Sequence, residues 1–431
     1  MNWRRLFPII FLFSMIDGFI SNRFYPAKLP FLYKDIFILM VYVLFFIRRE
    51  SGKRWVPEFA RQVGPGVWYL IIALVFLGML QIFNRNVPNL PVGVLGFKTM
   101  FFYWPLAILA YAYVDSLERL ERLMKVIVYF SIPICIFGIV QFFQRPDFMI
   151  KLFGEGFSRA ITITGGARGS GSFMRVFGTF ASSGQLTHFL VINAMLIFGL
   201  LFGAAKKSEK ILLIGCLLLN HITLLCTGSR AGLLLLFPTT FLFVILCRWL
   251  WRSFFIILLL GISLNFGFHY LGKAVLGRFE TVKDVKMLRS RSLETTTGMF
   301  KNYLEEHPFG KGMGTATSAA RYLFKERNTE LEFIENYPAK LQCEMGIVGV
   351  ILFYTLLLSL AIHWALHWIR FIERKTYVII IACTSYCWTM FAYALFGVVD
   401  TPPIGIFLWA EIGIVAKLVT LQSNDEYPLS T

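Results

Sequence analysis

Residues 345–368 read MGIVGVILFYTLLLSLAIHWALHW, an apolar stretch without a single Asp, Glu, Lys or Arg. A run of about 20 apolar residues is long enough to cross the hydrocarbon core of a bilayer as an α-helix. The whole chain has this character, since 57% of its 431 residues are hydrophobic and only 16% are charged. That composition excludes a soluble globular domain, a disordered chain and a disulfide-rich secreted scaffold. The sequence therefore predicts an all-α polytopic membrane protein.

Twelve stretches of this kind predict about 12 transmembrane helices. The predicted spans are 6–20, 34–47, 66–83, 97–113, 124–143, 183–203, 211–226, 231–247, 253–271, 345–368, 377–396 and 404–421. The predicted organisation is 1–143 with spans 1–5, a loop at 144–182, 183–271 with spans 6–9, a large loop at 272–344, 345–421 with spans 10–12, and a cytoplasmic tail at 422–431.

The distribution of basic residues predicts the orientation of the chain. If the N-terminus is cytoplasmic, one side of the membrane receives Arg48, Arg49, Lys53, Arg54, Arg61, Arg119, Arg122, Lys125, Lys206, Lys207, Lys210, Arg248, Arg252, Arg370, Arg374 and Lys375. The short loops opposite carry only Arg23, Lys28, Lys34, Arg85, Lys98 and Arg230. By the positive-inside rule, both termini are predicted to be cytoplasmic. Most of the net charge of +17 then reflects topology, and no nucleic-acid partner is needed to explain it.

The two long loops, 144–182 and 272–344, are an exception to this pattern. Together they hold 17 of the 42 Lys and Arg residues on the non-cytoplasmic side. Membrane insertion does not require this charge, because long loops are translocated largely regardless of it. A cationic surface beside the outer leaflet suggests an anionic ligand such as a lipid phosphate or diphosphate. The alternative is a solvated loop that lies against anionic headgroups.

Two arginines adjoin predicted spans on this side. Arg175 precedes span 6 in the stretch RVFGTF, after a Gly-rich run at 165–172 that is typical of a flexible linker. Arg230 lies in the tight turn Thr227–Gly232 between spans 7 and 8. An arginine at the edge of a membrane is usually paired or functional, although it can also extend to the headgroups from an interfacial position.

The second long loop is predicted to form a small helical subdomain. An apolar stripe predicts a helix over 293–304 that ends before Pro308, followed by a Gly-rich turn at 307–314 and a short helix over about 317–327. Lys311 in the turn is a candidate phosphate contact, and a solvated loop lysine is the alternative.

The start of the following helix is a second candidate anion site. Asn336 or Tyr337 is expected at its N-cap, with Pro338 in the first turn. An anion bound there would face the positive end of the helix dipole.

Four stretches together resemble the O-antigen ligase and O-antigen polymerase superfamily of bacterial polysaccharide assembly. They are RVFGTF at 175–180, SRAGL at 229–233, SRSLETTTGMFKNYLEEHPFGKGMG at 290–314 and ENYPAKLQCEMGIVG at 335–349. The resemblance implies a GT-C-like membrane glycosyltransferase that needs no metal or other cofactor. Such an enzyme takes a glycan from undecaprenyl diphosphate at the periplasmic face of the inner membrane and joins it to an acceptor sugar.

The resemblance also implies roles for particular residues. By position, Arg175, Arg230 and Arg291 match the family's arginines that hold the diphosphate. Guanidinium groups suit phosphate geometry and remain charged at any relevant pH. Their catalytic contribution would be to stabilise negative charge on the departing lipid diphosphate.

The residue expected to act as general base departs from the family pattern. Ligases place a His-Asn pair nine residues before a Glu that precedes x-Gly; here that Glu is Glu344, and the pair is Glu335-Asn336. A carboxylate can still accept a proton from an acceptor hydroxyl. Glu335 is therefore the candidate base, Asn336 a substrate contact beside it, and a polymerase is favoured over a ligase.

The leading hypothesis is a polymerase of polysaccharide repeat units, with an undecaprenyl-diphosphate-linked oligosaccharide, an acceptor glycan or glycolipid, membrane lipids and assembly proteins as partners. A ligase that transfers the glycan to lipid A core or a protein is the alternative within the same class. A lipid or polysaccharide transporter is the alternative from another class. Transporters often show repeated halves and charges within the membrane, whereas this chain has no evident repeat and most of its charges fall in loops.

Overall fold

A computed structural model gives the structure of the chain. It describes residues 2–25, 32–47, 54–165, 172–203, 207–247, 261, 295–324, 331–332, 334, 336–368 and 377–426. The candidate residues Arg291 and Glu335 lie outside the described residues, as does predicted span 9 at 253–271 except for Gly261.

The regular secondary structure of the described part is helical except for one pair of antiparallel strands. Its helices are α1 Trp3–Arg23, α2 Tyr33–Ile47, α3 Trp55–Val63, α4 Pro65–Ile82, α5 Leu90–Phe101, α6 Leu106–Tyr113, α7 Leu117–Phe143, α8 Pro146–Phe153, α9 Ser183–Gly203, α10 Lys207–Cys226, α11 Arg230–Cys247, α12 Thr295–Glu306, α13 Ser318–Phe324, α14 Tyr337–Trp368, α15 Tyr377–Tyr393 and α16 Ile404–Glu426. A 3₁₀ helix at Glu155–Arg159 leads into the antiparallel strands β1 Thr162–Gly165 and β2 Ser172–Arg175, in which Thr162 pairs with Arg175.

The predicted membrane character is confirmed. Eight helical segments in the described part are long and apolar enough to cross a bilayer: Trp3–Arg23, Pro65–Ile82, Leu90–Tyr113, Leu117–Phe143, Ser183–Gly203, Ser208–Cys226, Arg230–Cys247 and Tyr337–Leu366. Predicted spans 2, 11 and 12 correspond to α2, α15 and α16. Predicted span 4 is interrupted, because residues 102–105 separate α5 from α6, and Pro105 at the end of that turn has no N–H to donate.

The core of the bundle surrounds α9. This helix is buried on every face from Leu186 to Leu201, as expected for a helix that is apolar all round. Helix α16 packs closely on α6, where a Cβ added to Gly413 would lie 2.0 Å from the carbonyl oxygen of Ala107. The rings of Trp104 and Trp409 stack beside this contact, with their centroids 4.3 Å apart. Close approach at small residues is typical of helix packing in membranes.

The alternating helices bring several connections to one end of the bundle, which we call the loop end. It contains residues 83–89 after α4, 144–165 and 172–182 after α7, 227–229 after α10 and 394–403 after α15. The turn at 307–314 lies there too, because the amide of Met313 donates to the carbonyl oxygen of Gln81 at the end of α4 (3.1 Å). The candidate residues that the structure describes lie at this end: Arg175, Arg230, Lys311 and Asn336.

Candidate functional site

The RVFGTF stretch is held in place by one buried glutamine. The Gln141 side chain is fully buried near the end of α7. Its Nε2 donates to the carbonyl oxygen of Gly178 (3.0 Å), and its Oε1 accepts from the amide of Gly178 (2.8 Å) and that of Phe177 (3.4 Å). Gly178 adopts a positive φ of 57°, so the chain turns sharply after Arg175 and enters α9. Gln141 thereby fixes the position of the segment that carries Arg175.

Replacing Gln141 with leucine is expected to lower the free energy of unfolding by about 2–3 kcal/mol, because buried polar groups left without partners cost about 1–3 kcal/mol. Equilibrium unfolding in mixed micelles measures the change. The matched control is Gln144→Leu at the end of the same helix, whose side chain makes no hydrogen bond with the described residues. Equal effects of the two substitutions would contradict this role for Gln141.

The structure brings Arg175 and Arg230 together at the loop end. Arg175 Nε donates to the carbonyl oxygen of Thr227 (3.0 Å), directly before the turn that leads to Arg230. Gly228 makes this approach possible: its φ is 57°, and a Cβ there would lie 2.5 Å from the ring of Phe173. Burial, and next to it the positive charge of Arg230, lower the pKa of Arg175 from its ordinary value. A guanidinium remains charged under such conditions.

Two guanidinium groups that influence each other electrostatically form a candidate anion site. Among the described residues, Arg175 has no carboxylate partner, and its one hydrogen bond uses Nε. Like charges held close together repel each other, so an anion that binds both groups would relieve this repulsion. Diphosphate suits such a pair because each guanidinium can make two parallel hydrogen bonds to phosphate oxygens.

The Gly-rich turn at 307–314 has a structural role. Gly310, Gly312 and Gly314 all have positive φ angles, of 86°, 103° and 87°. Gln81 Nε2 donates to the carbonyl oxygen of Phe309 (2.7 Å), and Asn84 Nδ2 donates to that of Gly310 (3.1 Å). The turn therefore joins the end of α4 and the connection after it to the loop that precedes α14.

Lys311 and Asn336 both have partners within the protein. Lys311 Nζ lies 2.7 Å from Glu332 Oε1, and burial raises the pKa of Glu332 above its ordinary value. The Oδ1 of Asn336 accepts from the amide of Ala339 (2.9 Å), so Asn336 is the N-cap of α14 as predicted. Glu344 is buried and accepts from the hydroxyl of Thr317 (2.7 Å), which ties α13 to α14.

A cavity of about 360 Å³ lies at the loop end among α1, α2, α5, α9 and α14. We call it the polar cavity for the charged side chains that line it, although most of its wall is apolar. Lys34, Lys98 and Lys340 are among the residues that line it. Each lysine is paired: Lys34 Nζ lies 2.6 Å from Asp17 Oδ2, Lys98 Nζ lies 2.5 Å from Asp35 Oδ2, and Lys340 Nζ lies 2.5 Å from Asp400 Oδ2. The hydroxyl of Tyr103 also donates to Asp35 Oδ1 (2.9 Å).

Sequence reasoning missed this cluster. From the sequence, Lys34 and Lys98 are expected in short outer loops, whereas the structure places them in α2 and α5, where they line the cavity. The available signal was the presence of Asp17 and Asp35 within or beside the first two spans. Ionisable residues in or next to membrane helices are expensive and usually functional or paired.

A second cavity adjoins the first at Lys98. It has a volume of about 500 Å³, and apart from Lys98 its wall is almost entirely apolar, with Phe59, Trp68, Phe101 and Trp409 among the lining residues. A cavity of this kind accommodates hydrocarbon rather than a polar group.

Neither family models nor curated proteins gave a match to this chain. Its function is therefore inferred from the paired arginines, the cavities and the residues around them.

Proposed function

We propose that this chain is a membrane glycosyltransferase that polymerises polysaccharide repeat units carried on undecaprenyl diphosphate. One observation carries the proposal: Arg175 and Arg230, which are far apart in sequence, lie at the same end of the helical bundle, where Arg175 donates to the carbonyl oxygen of Thr227 and the charge of Arg230 acts on it. The family resemblance gives the diphosphate as the ligand of these arginines. Their proximity supports that role, because a diphosphate requires more than one cation.

In this proposal the arginines stabilise the negative charge that develops on the departing lipid diphosphate. Fixed donors aimed at developing charge are typically worth about 2.7–4 kcal/mol each. Arg291 is proposed to join them, and Glu335 to accept the proton of the acceptor hydroxyl; both lie outside the described residues. The N-cap position of Asn336 supports the second assignment, because it places the chain just after Glu335 at the loop end, beside the wall of the polar cavity.

The proposal extends to the setting of the enzyme. We infer a GT-C-like bundle of about 12 spans in a bacterial inner membrane, with both termini in the cytoplasm and the loop end in the periplasm. The partners are the lipid-linked oligosaccharide donor, an acceptor glycan or glycolipid, membrane lipids and proteins of polysaccharide assembly. Neither a metal nor another cofactor is required by this mechanism.

The test uses the purified full chain in nanodiscs with the native undecaprenyl-diphosphate-linked repeat unit. The expected product is a ladder of polymers on a gel. Arg175→Gln and Arg230→Gln are each expected to slow its formation about 100-fold, and Glu335→Gln about 100-fold or more. The control is Arg85→Gln, an exposed arginine at the same end of the bundle, which should remain active.

The remaining outcomes separate the alternatives. Transfer that occurs only after lipid A core is added would identify a ligase. If neither condition gives a product, or if both arginine variants remain as active as Arg85→Gln, the proposed function is wrong. Full activity of Glu335→Gln alone would overturn only the assignment of the base.

A further inference from the structure

The second, apolar cavity lies within the membrane-spanning part of the bundle. Helices α2, α4, α5, α6 and α16 form most of its wall, and α4 and the segment Leu90–Tyr113 are both long and apolar enough to cross a bilayer. Tyr42 lines the cavity from α2, and Ile71 and Val75 line it from α4. Among the described helices, α2 packs mainly on α1. The cavity therefore lies where a direct contact between α2 and α4 would otherwise be.

The cavity opens to the lipid-facing surface between α2 and α5. Leu39 of α2 and Val94 of α5 both line it, and they are 52% and 50% exposed. An apolar cavity does not hold water, because water there lacks hydrogen-bond partners, but it does bind apolar molecules. Wall atoms that face an empty space also lose their dispersion contacts. Lipid hydrocarbon surrounds this opening in a membrane, so a lipid chain is the expected occupant.

The length of the cavity fits one chain of a phospholipid. Its wall runs from Val94 in α5 to Ile108 in α6, which is about 15–20 Å along the two helices and the break between them. Each leaflet contributes about 15 Å to the hydrocarbon core of a bilayer. An undecaprenyl chain is much longer than one leaflet is thick, so most of it would lie outside the cavity.

Lys98 indicates which headgroup fits. It lines both cavities, and its side chain is 28% exposed. Its Nζ lies 2.5 Å from Asp35 Oδ2, so its charge is already balanced. An ammonium group has three donors, and the contact with Asp35 uses one of them. A phosphate can therefore accept a hydrogen bond from Lys98, but a headgroup with a large negative charge gains little net attraction from this neutral pair.

We propose that the apolar cavity binds one chain of a zwitterionic phospholipid, whose phosphate accepts a hydrogen bond from Lys98. The bound chain fills the space between α2 and α4 and stabilises the position of α2. This lipid site is separate from the candidate diphosphate site at Arg175 and Arg230, and the inference does not depend on the proposed function.

The experiment counts bound lipids by native mass spectrometry of the purified full chain in detergent. Phosphatidylethanolamine, phosphatidylglycerol and undecaprenyl diphosphate are added separately and together. Val94→Phe and Leu39→Phe narrow the mouth of the cavity from its two sides. The matched control is Val140→Phe, which changes a similarly exposed valine (46%) on α7, away from the cavity.

We expect each wild-type chain to retain one phosphatidylethanolamine. Phosphatidylglycerol is expected to bind about fivefold more weakly, because its net negative charge lies near the carboxylate of Asp35. Undecaprenyl diphosphate at the same concentration should not displace phosphatidylethanolamine. Val94→Phe and Leu39→Phe should each raise the Kd for phosphatidylethanolamine about tenfold, because the added ring occupies the entrance, whereas Val140→Phe should leave it unchanged.

Thermal unfolding in detergent gives a second measurement. A ligand that binds only the folded state raises its Tm, so phosphatidylethanolamine should raise the Tm of the wild type and of Val140→Phe but not that of Val94→Phe. The Tm values without lipid show that the variants fold.

Four results would each overturn the site. They are the absence of a retained phosphatidylethanolamine, its displacement by undecaprenyl diphosphate, binding of phosphatidylglycerol that is as tight or tighter, and an equal loss of binding in Val140→Phe. Displacement by undecaprenyl diphosphate would instead assign the cavity to the carrier chain.

Discussion

Replacing Lys340 with methionine is expected to lower the free energy of unfolding by about 3–5 kcal/mol. Lys340 Nζ lies 2.5 Å from Asp400 Oδ2, and the two side chains are only 4% and 3% exposed. Removing one partner of a buried ion pair leaves the other as an uncompensated buried charge, which accounts for a cost of this size. The change is measured by equilibrium unfolding in mixed micelles.

The double variant Lys340→Met with Asp400→Ala separates the pair from simple packing. If the cost comes from the charge that is left behind, the double variant recovers much of the stability, and the double-mutant cycle gives a large coupling energy. The matched control is Lys301→Met, because Lys301 and Glu305 are 3.7 Å apart and mostly exposed. That substitution should cost no more than about 0.5 kcal/mol. Additive effects of Lys340→Met and Asp400→Ala would show that the pair itself contributes little.

Gly314→Ala is expected to destabilise the protein by about 2–4 kcal/mol. The φ of Gly314 is 87°, and an added Cβ would lie 2.1 Å from the carbonyl oxygen of Val92. Backbone strain of this kind costs about 1–3 kcal/mol, and overpacking against a rigid neighbour adds a similar amount. Because the contact atom belongs to the backbone of α5, the clash cannot be relieved by rotation of a side chain.

Gly298→Ala is the control for this substitution. Gly298 lies inside α12, and nothing lies within 4 Å of the position of its missing Cβ. Alanine there should stabilise the helix by about 0.5–1 kcal/mol. The two glycines of the same loop are therefore expected to give opposite signs in unfolding experiments. If Gly314→Ala left the free energy of unfolding unchanged, the close packing of this turn against the backbone of α5 would be contradicted.

Much of the helical layout was predictable because apolar length and helix signals are local properties of the sequence. The predicted helices at 293–304 and 317–327 correspond to α12 and α13 over the residues that the structure describes, and Asn336, one of the two residues expected at the N-cap of α14, accepts the capping hydrogen bond. The break between α5 and α6 was missed, because residues 100–113 contain no charged residue and the span as a whole is apolar apart from Lys98 and Thr99. Hydropathy measures preference for the membrane but does not register a local departure from helical geometry.

The candidate site was only partly predictable for a related reason. The resemblance pointed to Arg175 and Arg230, which the structure places near enough for the charge of Arg230 to lower the pKa of Arg175. The pairs Asp17–Lys34 and Asp35–Lys98 could not be inferred, since charge counts for loops do not show which side chains turn inward and meet across helices. Pairing of this kind depends on the tertiary packing of α1, α2 and α5.

The backbone break at Gly346 has a consequence for the depth of the protein in the membrane. Helix α14 has 32 residues, but Gly346 departs from helical geometry with φ 70° and ψ −177°. A straight helix of that length would measure about 48 Å, far more than a hydrocarbon core of about 30 Å. From residue 347 onward the helix measures about 33 Å, which matches that thickness with a slight tilt. We therefore expect Gly346 to mark the bilayer surface, so that Lys340 and Glu344 remain at the level of the lipid headgroups in membranes of ordinary thickness.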